Sequence, residues 1–151
     1  MQADIYLTLD SKAPRETVKH YGYVLECRVR GEPVTREGFG TVTATYHRAT
    51  ILALREALKR FNQECEITIH AEDEFVLTMI RDRLPEWMEK GFENTDGKPV
   101  KNETEWRALW EVSKMHQLSI TAECHGYSEW ILEEIKKRKN KEEKTSESDT
   151  V

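Results

Sequence analysis

Ile5, Leu7 and Leu9 alternate with Tyr6, Thr8 and Asp10, the two-residue period of a strand with one face on a core. That alternation puts Asp10 at the end of the strand, on the face opposite the Ile5 set. Lys12 to Lys19 is polar, contains Pro14 and predicts a loop. Alternation returns at Tyr21, Tyr23, Leu25, Cys27 and Val29. Gly31 to Pro33 then supplies a turn before a third strand over Val34 to Ala44. These three strands predict an antiparallel meander.

After Thr45 the period becomes helical. Thr50, Ala53, Leu54, Ala57, Leu58 and Phe61 share one face, so Thr50 is expected inside. Ile67, Ile69 and Ala71 predict a fourth strand with Glu72 at its C-terminal end. Asp73 is placed to cap a helix carrying Val76, Met79 and Ile80 and ending near Pro85. Asn102 with Glu105 reads as a capping-box start for a helix facing inward through Trp106, Leu109, Trp110 and Ser113. Leu118, Ile120, Ala122 and Cys124 predict a fifth strand. His125 to Tyr127 predicts a turn, and Ser128 the cap of a last helix packed through Ile131, Leu132 and Ile135. The order β-β-β-α-β-α-α-β-α predicts an α/β fold with a five-stranded mixed sheet, three antiparallel strands first and two parallel ones after, flanked by helices.

At 151 residues and 38% hydrophobic content, one domain is expected over 1–135. From Lys136 the run KKRKNKEEKTSESDTV has almost no apolar residue, and 136–151 is expected to be a disordered charged tail. A net charge of -5 argues against nucleic-acid binding over the whole surface and leaves room for a local basic patch. Cys27, Cys65 and Cys124 form no C-x-x-C pair or zinc spacing. No basic leader opens the chain and no apolar run approaches the ~18 residues of a membrane span, so a soluble cytoplasmic protein is expected.

The most distinctive stretch is Trp87 to Trp106. It holds Trp87-Met88-Glu89-Lys90-Gly91-Phe92, a charged loop, then Lys98-Pro99-Val100-Lys101-Asn102 and an aromatic four residues on. Together with Asp10-Ser11, Tyr21-Gly22-Tyr23, the helix Arg48 to Leu58, the segment Ile69 to Val76 and His125, it resembles ribonuclease H, the family that cuts the RNA strand of RNA–DNA hybrids. The likeness runs from about Ile5 to about Ile135. It implies the ribonuclease H-like fold, an RNA–DNA hybrid or related nucleic acid as partner, and metal-assisted hydrolysis with Mg²⁺ or Mn²⁺.

That chemistry needs carboxylates converging on two divalent ions. The resemblance assigns Asp10, Glu72 and His125 to catalysis, with Asp10, Glu72, Glu129 and Glu133 as candidate metal ligands. It assigns Trp87, Lys90, Lys98, Lys101 and Asn102 to nucleic-acid contact. The chain departs from the family at several positions, among them Glu72, which stands for an aspartate and is one methylene longer. The helix glutamate is Thr50, and Glu56 on the same helix stands roughly 240° around. Extension to the fourth acid falls on Leu132. Tyr46 and His47 replace two asparagines, and Glu74 replaces a glutamine. The expected outcome is either a hydrolase of weakened activity or an inactive module that binds nucleic acid or a protein.

Overall fold

The first three alternating segments form β1 (Gln2–Leu9), β2 (Thr17–Val29) and β3 (Glu32–Ala44) in a computed structural model that describes residues 1–94 and 96–149, with side chains described through Glu142. Next come α1 (Tyr46–Leu58), β4 (Glu66–Ala71), α2 (Glu74–Asp82), α3 (Leu84–Glu89), α4 (Glu103–Ser113), β5 (Gln117–Ala122) and α5 (Ser128–Asp149). The sheet order is β3-β2-β1-β4-β5. β1 is antiparallel to β2 and β2 to β3, while β1–β4 and β4–β5 are parallel, as the period pattern predicts.

Register follows from the turns and the alternation. β2 and β3 are joined by Arg30 and Gly31, at φ 54° and 82°, the two-residue connection that matches strand twist. Ile5, Leu7, Ile67 and Ile69 are at most 1% exposed and pack with Ile51, Leu54, Leu58, Val76, Leu77, Trp106 and Leu109 in the main core. On the opposite sheet face a smaller cluster of Val24, Ile131 and Ile135 holds α5, with Tyr6, Phe39 and Tyr127 against it. Gly22 permits this approach, since a Cβ there would stand 2.6 Å from Ile131 Cγ2. Tyr21 and Tyr23 lie across Gly40 and Gly38 of β3, where a Cβ would stand 2.3 Å from each tyrosine hydroxyl. Burial, the largest cause, pushes the Tyr21 hydroxyl up to about 12.

Several boundaries differ from the sequence reading for local reasons. β2 begins at Thr17, inside the expected loop, and Lys19 is fully buried. Its ammonium donates to Arg15 O at 2.9 Å, Thr17 Oγ1 at 2.8 Å and Ala44 O at 2.6 Å. β3 takes in Pro33, tolerable because β3 is an outer strand; along that rim Arg60 Nη1 donates to Glu37 O at 2.8 Å. Pro85 opens a further short helix, α3, instead of closing α2, because proline suits the first helical turn. Asn102 adopts the left-handed conformation (φ 62°) and makes no side-chain cap bond. The Ser128 hydroxyl accepts from His125 N at 3.0 Å. Leu132 is 42% exposed, so Ile131 and Ile135 hold α5 without it.

α5 continues as helix past the Lys136 boundary drawn from the sequence, to Asp149; 150–151 lie outside the described residues. Polar contacts rather than apolar burial follow it outward. Lys137 pairs with Glu134, Arg138 lies 3.9 Å from the Phe39 ring centroid, and Lys139 reaches Asp10 at 3.4 Å. No described helix is long and apolar enough to cross a membrane.

Candidate functional site

β1, α1 and β4 converge on a small cleft bordered by Thr8, Lys12, Tyr46, Thr50, Glu72 and Asp73. α1 starts where the Thr45 hydroxyl accepts from Arg48 N at 3.3 Å, which brings Thr50 to the cleft one turn later. Thr50 is fully buried and its hydroxyl donates to Tyr46 O at 3.0 Å. Asp73 caps α2 by accepting from Val76 N at 3.1 Å and holds His47 Nδ1 at 2.8 Å. Glu72 follows β4, and both its oxygens are engaged. The Cys124 thiol donates to Oε1 at 3.0 Å and the Lys12 ammonium pairs with Oε2. The Cys124 bond first, then Lys12, lowers the Glu72 carboxyl below its ordinary range.

Asp10, expected at the site from the resemblance, is not among the residues that border this cleft. It accepts from His20 N at 2.9 Å, lies 3.1 Å from His20 Nδ1 and takes the contact from Lys139. From β1 the cleft is bordered by Leu7, Thr8 and Leu9, of which Thr8 alone has a polar side chain. Side chains two apart share a strand face but stand roughly 6.6 Å apart, so Asp10 lies one repeat beyond. Glu129 and Glu133, two other expected ligands, lie apart from the cleft. Both are exposed on α5, neither borders the cleft, and neither makes a hydrogen bond or ion pair among the described residues.

His125 is occupied structurally. Its Nδ1 accepts from Tyr127 N at 3.2 Å, and its Nε2 donates to Leu7 O at 2.8 Å and lies 3.0 Å from Thr8 Oγ1. A proton-carrying role would break the bonds that hold the turn before α5. His116 likewise accepts from Cys65 N on Nδ1 at 3.1 Å, and its buried Nε2 has no partner among the described residues. Burial, the first cause for each, depresses both histidines below their ordinary value. The unfolded chain therefore takes up protons first, and stability present above about pH 6.5 is lost as pH falls through the depressed folded values. The urea midpoint is expected to fall between about pH 7 and about pH 5, and to fall less in the His116→Gln, His125→Asn variant. Equal losses in both proteins would contradict this.

A larger groove of about 520 Å³ opens beside the cleft, and Lys12 and Tyr46 border both. Trp87, Lys101 and Asn102 line it, as do His47 and Phe75, whose rings stand 4.6 Å apart. Trp87 packs on Trp106 at 5.3 Å, giving the groove a firm aromatic wall. Lys90 is taken up by Glu86 at 2.8 Å. Lys98 is exposed at the tip of the protrusion, where Asn94 Oδ1 accepts from Asp96 N and Lys98 N at 3.0 and 3.1 Å. Of the expected nucleic-acid contacts, Trp87, Lys101 and Asn102 therefore share the groove, while Lys90 and Lys98 lie outside it. Thr8, Lys12 and Phe75 escaped the sequence reading. The neighbouring Tyr46 and His47 were visible only as departures from the family pattern.

The donor set does not fit a pair of divalent ions. It has one cleft carboxylate already held by an ammonium and a thiol, another tied to His47 and a helix start, and two threonine hydroxyls. The cleft volume is about 10 Å³, the scale of a single water, whereas paired catalytic ions stand ~3.5–4 Å apart. Among the described residues no group of three or more His, Cys, Asp or Glu is disposed to hold a metal.

The family model for RNase H matches residues 11–129. Ribonuclease H of Novosphingobium aromaticivorans is 36% identical over 74 residues, covering 49% of this chain and 52% of that protein. The chain spans about half the length of the first curated relatives it matches. Among solved structures, a type 1 RNase H with the type 2 active-site motif aligns with TM-score 0.63 at 14% identity, covering 79% of this chain and 61% of that one. A foamy viral protease-reverse transcriptase in complex with RNA/DNA hybrid aligns with TM-score 0.63 at 20% identity, covering 79% and 17%. The shared sheet order is thus accompanied by a sequence match over well over half of the chain, and the chain belongs to the ribonuclease H family.

Proposed function

We propose that this chain is a ribonuclease H-fold module that binds RNA–DNA hybrid or a related duplex without cutting it. The observation that carries this reading is the cleft at the meeting of β1, α1 and β4, where Thr8 and Thr50 stand and the Glu72 carboxylate is held by Lys12 and Cys124. Members of the family work with divalent metals, and Mg²⁺ or Mn²⁺ is the ion the resemblance implied. With these donors no cleavage step is assigned to either ion. Binding is supported by family membership, by the solved relative in complex with hybrid, and by the groove that gathers Trp87, Lys101 and Asn102 beside Tyr46, His47 and Phe75. Flat rings beside cations suit bases and phosphates. Three free cysteines support a reducing, cytoplasmic setting.

The test is a labelled hybrid incubated with the full chain in Mg²⁺ and in Mn²⁺, read for binding and for cleavage. The expected result is binding that weakens with added salt, without product. Metal-dependent product that disappears in Glu72→Gln would overturn the non-cutting part. Absence of binding to hybrid and to duplex at low salt would overturn the nucleic-acid part.

A further inference from the structure

We infer that the Lys12 ammonium takes over the electrostatic role of the missing metal ions, holding a phosphate of the bound strand at the mouth of the cleft, so that binding needs no divalent cation. This rests on the nucleic-acid-binding reading above and specifies how that site meets the phosphate backbone. Lys12 sits in the segment between β1 and β2 and borders both the cleft and the groove. A strand lying along the groove therefore passes its side chain. That side chain is 65% exposed and pairs with Glu72. It makes no other hydrogen bond or ion pair among the described residues. An ammonium carries three donors, so two remain for a phosphate while Glu72 keeps the third.

Charge makes the same point. A cleft walled by several carboxylates repels phosphate until divalent ions neutralise it. Here Thr8 and Thr50 carry no charge, Asp73 is engaged by His47, and Glu72 is matched by Lys12. With no ion present Lys12 matches Glu72 and leaves Asp73 as the one unmatched carboxylate of the cleft, against several in a cleft walled by free acids. Glu72 then acts as the anchor that aims Lys12, a positioning residue rather than a metal ligand.

The experiment measures binding of a fluorescent RNA–DNA hybrid to the full chain at low salt, in EDTA and in Mg²⁺. Wild type is expected to bind equally in both. Lys12→Met is expected to weaken binding in EDTA by about fivefold and to reduce the slope of log affinity against log salt by about 0.9, the loss of one phosphate contact. Lys12→Arg is expected to retain metal-free binding. Wild-type binding that appears only with Mg²⁺, or a Lys12→Met variant that matches wild type in EDTA, would overturn the inference while leaving the nucleic-acid reading standing. Loss of wild-type binding under every condition would instead remove the reading on which it rests.

Discussion

Thr50→Glu alone is expected to yield no hybrid cleavage and to destabilise the chain by about 2–4 kcal/mol at neutral pH, the scale of an incompletely paired buried polar or charged group. Thr50 is fully buried, donates to Tyr46 O at 3.0 Å and shares its small cleft with Glu72 and Asp73. A third carboxylate there is desolvated and faces two like charges. Lys12 can answer only one of them. The triple variant Thr8→Asp, Thr50→Glu, Lys12→Ala places acids on β1, α1 and after β4, and removes the competing ammonium. It is expected to be less stable than wild type in EDTA and to gain several degrees in melting temperature on adding millimolar Mg²⁺, because a ligand that binds only the folded state stabilises it. Hybrid cleavage is expected to appear with that Mg²⁺ response. A single variant as stable as wild type, or one that cleaves as well as the triple, would show that Thr8 and Lys12 do not block the site.

Lys19→Met is expected to cost about 2–3 kcal/mol, seen as a lower urea midpoint with an unchanged slope. Methionine keeps the apolar stem out to Cε and lacks only the terminal ammonium, so the loss reports its three bonds to Arg15 O, Thr17 Oγ1 and Ala44 O. Those bonds fasten the stretch between β1 and β2 to the end of β3, and the same stretch carries Lys12. Hybrid binding by Lys19→Met is therefore expected to weaken even where the chain remains folded. If stability is unchanged, relief from burying the charge has offset the lost bonds and the fastening role fails.

The sheet was legible because its strands alternate cleanly. Ile5, Leu7, Ile67 and Ile69 announce their buried face, and the same alternation put Thr8 and Asp10 together on the other one. What alternation does not reveal is how far along that face the cleft lies. The acid that the resemblance points to, Asp10, stands one repeat beyond Thr8, which borders the cleft. Thr50 was placed correctly inside because helical spacing fixes its angle, not only its order. Lys12 and Lys19 were missed for another reason. They lie in or beside a polar stretch with no periodicity, where the fold of the loop alone decides that one meets Glu72 and the other is enclosed. The same holds for α5 beyond Lys136, whose apolar content is too low to announce order and whose described contacts are to Phe39 and Asp10.

The outer strand β3 has a bearing on self-association. Thirteen residues long, it is one of the two open rims of the sheet, β5 being the other, where another chain could add itself in register. Such an addition meets Pro33, which has no N–H to lend, then Glu37, whose carbonyl is already occupied by Arg60. Exposed Glu32, Arg36 and Glu37 add charges that must be matched or displaced. Each of these features works against pairing of a second chain along this rim.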